Sequence, residues 1–362
     1  MPFAPRFLAT AIGSLPHESP EAAVDIVLSS LPEAPIWPQL PRRALGEQME
    51  IQYSQGMPRA VVDQLKSKLT FDTTGDYSED LAAFYETYIQ AMDPETGDGD
   101  CAAMAIDAEH AAGMHELLAR LTAGNLKFPL LKVQTTGPVS FALTTTDQDK
   151  RAIYYNDEFL DMIVKALAMK CRWQIRTFAP YAERVICFVD EPILSAFGSS
   201  TYVSVTRDDV VARIGEVVEA VHAEGALAGV HCCGNTEWSI LIDAGADIVN
   251  FDAFCYGETV LMYAEAIGPF LARGGCLAFG LVPTSAAVRE QTAAGLAGLY
   301  EDLAGALAAK GLDKGRLAEQ TIVTPACGTG SLETGDAERV FSLNLEVSRL
   351  LRAKYGFDRV SL

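Results

Sequence analysis

The stretch Ala226-Leu-Ala-Gly-Val-His-Cys-Cys-Gly234 decides the fold. It is a short apolar run that stops abruptly in a histidine and two cysteines. An apolar run of about four to eight residues bounded by glycine is the pattern of a strand buried on both faces in a parallel sheet. Side chains alternate along a strand, so His231 and Cys233 share one face and Cys232 points to the other. An imidazole and a thiol aimed into one space form part of a zinc site, which a further cysteine or a carboxylate completes from elsewhere in the fold. The same residues also fit a buried cysteine beside a hydrogen-bonded histidine, because unpaired cysteine is among the most buried residue types. What the other strands carry at their ends bears on the choice.

Upstream, Phe7–Ile12 reads as a first strand ending at Gly13-Ser14, followed by a helix with Pro20 in its first turn. Pro35–Leu40 is a second strand, short and interrupted by proline. From Ala44 to Gly124 the pattern is helical and reads as an insertion over the barrel mouth. Its acidic run Asp93–Asp100 reads as a solvated loop, lacking the ligand spacing of a calcium loop. Pro129–Gln134 is the third strand. The helix Asp157–Ala179 leads to the fourth, Val185–Val189, which closes in Asp190-Glu191-Pro192. The helix Asp208–Glu224 precedes the His231 strand. Downstream follow a helix Glu237–Ala244, a sixth strand Asp247–Phe251 ending at Asp252, and a seventh, Cys276–Leu281. A helix Ala286–Lys310 leads to the eighth strand, Thr321–Thr324, ending near Cys327, and the helix Asp336–Lys354 is last.

Strands alternating with helices imply a parallel sheet. Eight such units predict an α/β fold, a single (β/α)8 TIM barrel over residues 1–362 with a helical insertion between strands 2 and 3 at about 44–124. An open doubly wound sheet is disfavoured, because no glycine-rich dinucleotide fingerprint follows any strand. Barrel active sites sit at the carboxyl ends of the strands. Those ends carry Ser14, Asp190, His231, Cys233, Asp252 and Cys327. Cys327, flanked by Pro325 and Gly328, is the best third metal ligand, and three protein ligands leave one zinc position open.

The chain has 362 residues, 49% of them hydrophobic, and a formal net charge of −20 from 48 acidic and 28 basic residues. So acidic a surface repels nucleic acid and anionic membranes, whose binding needs clustered lysine and arginine. Eight cysteines without a framework of spacings point to reduced thiols and a cytoplasmic protein rather than a disulfide scaffold.

Taken together, Gly13-Ser14, Val-Asp190-Glu191-Pro192, His231-x-Cys233 and Pro-x-Cys327-Gly resemble the catalytic barrel of cobalamin-independent methionine synthase. That barrel's superfamily includes uroporphyrinogen decarboxylase and the corrinoid:coenzyme M methyltransferases. The resemblance covers nearly the whole chain. It implies that His231, Cys233 and Cys327 bind zinc, that Asp190 holds the amino group of homocysteine, and that the Gly13-Ser14 loop holds its carboxylate. The family's fourth zinc ligand is a glutamate at the end of strand six. Here that end carries Asp252 as the possible fourth ligand, with Glu258 a few residues on. The family's glutamate after strand two has only Glu47 and Glu50 as loose counterparts.

The chain starts directly at strand one of the catalytic barrel, without the second barrel that binds folate polyglutamate in the full-length family enzyme. The resemblance therefore implies a core-type, zinc-dependent methyltransferase that methylates homocysteine from a methylcobalamin or other methyl-corrinoid on a separate protein. The alternatives are another thiol acceptor such as coenzyme M, and a porphyrin-type decarboxylase. The decarboxylase needs an arginine-rich segment after strand one, and only Arg42-Arg43 comes close.

Overall fold

The computed structural model describes residues 3–92, 101–199, 202 and 204–358. The run Asp93–Asp100 lies outside them. In chain order the chain forms β1 (Leu8–Ala9), α1 (Pro20–Ser30), α2 (Met49–Ser54), β2 (Ala60–Asp63), β3 (Lys68–Phe71), α3 (Ser78–Met92), α4 (Ala112–Gly124) and β4 (Phe128–Thr136). It continues with α5 (Pro138–Thr144), β5 (Thr146–Asp147), α6 (Asp157–Phe178), β6 (Ala182–Asp190), α7 (Arg207–Ala223), β7 (Leu227–Cys232), α8 (Trp238–Asp243) and β8 (Ile248–Phe251). The last third holds α9 (Ala253–Val260), α10 (Ala264–Ala272), β9 (Cys276–Val282), α11 (Ala293–Ala309), α12 (Lys314–Glu319), β10 (Thr321–Pro325) and α13 (Thr334–Tyr355).

Seven strands form one parallel sheet in the order β1-β10-β9-β8-β7-β6-β4. The second strand expected at Pro35–Leu40 forms no ladder of its own. It makes isolated parallel bridges, Gln39 to Ser14 beyond one edge of the sheet and Ile36 to Lys132 on the other. The backbone bonds Leu15 N to Gln39 O (2.8 Å) and Lys132 N to Pro35 O (2.9 Å) tie this segment to both edges. Pro35 and Pro38 have no N–H to give, so a regular ladder cannot form there. The sheet is therefore curled, with its edges brought to a common segment.

The 44–124 segment is not helical throughout. β2 and β3 pair antiparallel as a hairpin, and β5 adds to β3 to make a small three-stranded sheet. The expected helix Ala286–Lys310 is divided. A short 3-10 turn covers Ala286–Glu290, and α11 starts afresh after Thr292, whose side chain accepts from Gly295 N.

Alternation along the strands sorts the core into two shells. Val133, Val189, Val230, Cys232, Phe251 and Val323 face the surrounding helices. Leu8, Leu130, Ile186, Phe188, Ile248, Ala278 and Ile322 pack with one another inside the curl. Further along the same inner faces come buried polar groups: Lys132, Gln134, Asp190, His231, Asn250 and Thr324. On β4, β6, β7, β8 and β10 the inner face thus runs from apolar to polar as the strand approaches its carboxyl end. That gradient prepares the site.

The 44–124 segment is anchored by a buried lysine. Lys170 on α6 is fully buried, and its Nζ donates to the carbonyls of Gln55 (2.6 Å) and Met104 (3.1 Å). Burial pushes this ammonium down to about 7. An unfolded lysine titrates near ~10.4, so between those values the unfolded chain binds more protons. Stability is therefore expected to rise with pH across that window, by at most ~1.4 kcal/mol per pH unit, and to be insensitive to this group below it. Urea unfolding of the parent against Lys170→Met at pH 6 to 10 reads the effect as a difference. Parallel pH profiles for the two proteins would refute it.

Candidate functional site

The carboxyl end of β7 presents His231 to the interior and turns at once into Cys233, as the alternation requires. Cys232 faces the helices and is fully buried. β10 ends at Pro325 after a shift of register against β9 between Thr324 and Pro325. A bulge of this kind re-aims the residues that follow it. Cys327 arrives beside the β7 pair, and one ligand atom each from His231, Cys233 and Cys327 all lie within 4.8 Å of one another. Among the described residues, this is the group of histidine, cysteine and acidic side chains with metal-binding proximity.

His231 Nδ1 lies 2.5 Å from Asn250 Oδ1, whereas its Nε2 is buried without a hydrogen-bond partner. A buried nitrogen left unpaired is costly, about 1–3 kcal/mol, unless something fills the space before it. The Cys327 thiol hydrogen-bonds Cys233 and, with His231, holds the Cys233 thiol down at about 4 against the opposing effect of burial. Cys327 itself is pushed far up by the same contact. One proton is thus shared between two sulfurs. Burial lowers the His231 pKa, but Cys233 and Asp190 outweigh burial and raise it. An imidazole nitrogen freed of its proton, a thiolate and a second sulfur are the donor set zinc prefers, and Nε2, buried without a hydrogen-bond partner, is the observation that makes them fit it.

Asp252 stays outside this group. It is the N-cap of α9, and its carboxylate accepts from Cys255 N at 2.8 Å. Burial raises its pKa, and the nearby Cys233 adds to the rise. The short side chain therefore serves the helix that follows, an assignment the strand-end position alone does not reveal. Glu258 is exposed on the same helix, as is Cys255. Cys101, Cys171, Cys187 and Cys276 are buried away from the trio.

The trio opens on a cavity of about 330 Å³ lined also by Ile12, Ser14, Gln39, Glu47, Met49, Asp190 and the turn Gly328–Ser331. That is the lower end of the ~300–1,000 Å³ usual for small-molecule sites. Asp190 ends β6 with Oδ1 buried and unpaired. Burial raises it to about 6, opposed by Lys132 and His231. Lys132 is itself fully buried; its Nζ donates to Ile12 O and sits 4.5 Å from the centroid of the Phe188 ring. Burial lowers it to about 8.

Ser14 closes the opposite wall. Its carbonyl accepts from Thr329 N (2.8 Å) and its Oγ from Gly330 N (3.2 Å), fastening the first loop to the turn after Cys327. Gly13 does not line the cavity. It makes room for Gln39, whose Oε1 would lie 2.4 Å from any Cβ added there. Glu191, next to Asp190, points away and accepts from Val139 N (3.0 Å) and Ser140 N (2.7 Å).

Three contributors, Gln39, Met49 and Asn250, were not legible as site residues, and a fourth, Glu47, was legible only loosely. Gln39 and Met49 come from the proline-interrupted segment and from α2. Glu47, a loose candidate by sequence, is buried in the wall, where burial raises its carboxyl and Arg43 at 2.6 Å opposes the rise. Glu50 is not among the lining residues. Asn250 was hidden inside an apolar strand. Its only signal is a lone amide in Ile248-Val249-Asn250-Phe251.

No protein-family profile matches the sequence, and no curated protein matches it. Solved structures do match. One from Listeria monocytogenes, provisionally described as a vitamin-B12-independent methionine synthase, covers 96% of this chain and 98% of its own at a TM-score of 0.53 and 12% identity. A methyltransferase from Methanosarcina mazei covers 91% of this chain and 86% of its own at a TM-score of 0.52 and 13% identity. At these identities the likeness establishes a common fold. It is the fold of the structures to which the strand-end motifs point.

Proposed function

We propose that this chain is a zinc-dependent thiol methyltransferase that makes methionine by methylating homocysteine, with a methyl-corrinoid on a separate protein as the donor. The observation that carries the reading is the trio His231, Cys233 and Cys327, with Nε2 of His231 buried and unpaired at the wall of the cavity. We read the curled sheet, bridged through Ile36 and Gln39, as a (β/α)8 barrel in one domain with an insertion over 44–124. Its eight cysteines, which show no framework of spacings, suit the reducing cytoplasm. Among the described residues no helix is long and apolar enough to cross a membrane. The −20 charge makes nucleic acid and anionic membranes poor partners.

Zinc held by the trio would supply a Lewis acid that keeps a substrate thiol as thiolate at neutral pH. The chain's own residues do the rest. Asp190 offers its unpaired oxygen to the ammonium group of an amino-acid thiol, and the buried Lys132 helps to keep it ionised. Ser14 and the turn after Cys327 hold the carboxylate end. The apolar walls, Ile12 and Met49, limit water around the sulfur and fix its approach. The sulfur–methyl bond forms as the methyl–donor bond breaks, with the electron pair leaving on the donor and the thiol proton passing to solvent.

The lining contains two carboxylates, Asp190 and Glu47, and no lysine or arginine among the described residues. That wall suits an ammonium-bearing thiol better than a sulfonate thiol. It disfavours a porphyrin with many carboxylates, and it disfavours a polyglutamate folate as donor. Zinc-loaded protein given methylcobalamin and homocysteine is expected to form methionine, and to leave coenzyme M largely unmethylated. Failure to form methionine from methylcobalamin or from methylated corrinoid proteins, with zinc bound, would overturn the proposal.

A further inference from the structure

We propose that Asn250 is the positioning residue for His231: it fixes the ring as the Nδ1–H tautomer and so keeps the Nε2 lone pair directed at the metal. The inference rests on the metal reading above, and extends it to a residue in a different strand.

An amide in the middle of a buried strand costs free energy unless its hydrogen bonds are made. Asn250 is fully buried on β8, opposite His231 in the β7–β8 register. Its Nδ2 donates to Ala278 O on β9 and to Thr324 Oγ1 on β10, each at 2.9 Å. A backbone carbonyl can only accept, so the NH2 end of the amide must face that way. The oxygen end is thereby turned toward His231, where Oδ1 lies 2.5 Å from Nδ1. An amide oxygen can only accept as well, so the proton of a neutral ring sits on Nδ1. Nε2 is then the bare nitrogen, and it is the nitrogen left buried without a partner.

The consequence reaches beyond the histidine. Through one side chain Asn250 joins β7, which carries His231, to β10, whose end delivers Cys327. Partners that orient a ligating histidine typically contribute ~10–100-fold to metal affinity. Asn250 has the geometry to do so for both halves of the trio.

Three proteins test this: the parent, Asn250→Leu and Asn250→Asp. The leucine removes acceptor and donors together. The aspartate keeps an acceptor toward Nδ1 and loses both donated bonds. Nitrogen-15 spectra of histidine-labelled, metal-free protein, taken where the ring is neutral, read the tautomer directly, and chelator competition reads zinc affinity. The parent is expected to show Nδ1–H alone and Asn250→Leu a mixture, with zinc binding weakened ~10–100-fold. Asn250→Asp is expected to retain Nδ1–H and bind zinc more tightly than Asn250→Leu. A purely structural amide would leave the two variants equally impaired, because both lose the same donors, and that result would overturn the proposal. So would a parent ring protonated on Nε2. If Asn250→Leu does not fold, the parent spectrum and the aspartate decide. A parent that shows Nδ1–H yet takes up no zinc overturns the metal reading and leaves the tautomer assignment standing.

Discussion

Replacing Cys233 or Cys327 by serine is expected to strip the metal from the protein. Purified reduced and anaerobically, the parent should carry about one zinc per chain, and each variant a small fraction of that. The loss should exceed the ~10–100-fold typical of outer-shell changes, because a ligand itself is removed. The neighbouring cysteine is the internal control. Cys232 lies one residue from Cys233 but on the helix-facing side of β7, with its thiol turned to Gly234 O at 3.6 Å. Cys232→Ala should keep its zinc. Metal analysis of the three variants beside the parent, with circular dichroism to confirm folding, checks the expectation. Equal zinc in all of them would mean that the metal binds elsewhere.

The second large effect concerns stability. The helix α5 begins Gly137-Pro138-Val139-Ser140 directly after β4. Pro138 has no N–H, so the donors left over in its first turn include Val139 N and Ser140 N, and the single carboxylate of Glu191 takes both. Burial raises this carboxyl to about 7, against the pull of those bonds. Glu191→Ala leaves two buried donors unpaired, at about 1–3 kcal/mol each, so a loss of about 2–6 kcal/mol is expected. That is a large part of the ~5–15 kcal/mol that holds a typical domain folded.

Gly137→Ala attacks the same contact from the other side, since a Cβ there would stand 2.1 Å from Glu191 Cδ. Because both changes break one contact, the double variant should lose less than the two single losses combined. Urea unfolding of the three variants measures this. Strict additivity, or a Glu191→Ala loss below about 0.5 kcal/mol, would contradict the role given to Glu191.

The parts of this molecule that were legible in sequence follow one physical rule each. Period-two alternation put His231 and Cys233 on one side and Cys232 on the other, and the folded chain has them so. Strands β4 and β6 and helices α6 and α7 are long and strongly patterned, and α6 and α7 lie within a residue or so of their expected bounds. Pro20 marked the first turn of a helix, and α1 starts there, with Ser19 before it capping the helix by accepting from Ala22 N.

The parts that were not legible depend on distant partners. The hairpin β2–β3 has Ser67 at a positive φ of 48° in place of the glycine that usually signals such a turn. Helix α10 contains Pro269, and α9 starts at Ala253, directly after the end of β8. Asp252 ends a strand as a ligand would, but the first turn of α9 claims its carboxylate. Asn250 shows its purpose only when β7, β9 and β10 stand beside it. The Pro35–Gln39 segment was legible as a strand and not as a bridge, because prolines deny it a ladder that only the two neighbouring edges could have revealed.

The most direct test of the central claim is the sulfur count around the metal, read by X-ray absorption at the zinc edge before and after homocysteine is added. Cys233 and Cys327 should supply two sulfurs and His231 one nitrogen before addition. One further zinc–sulfur bond at about 2.3 Å should appear with the substrate. A sulfur number unchanged by homocysteine, or a folded protein that takes up no zinc, would contradict the account.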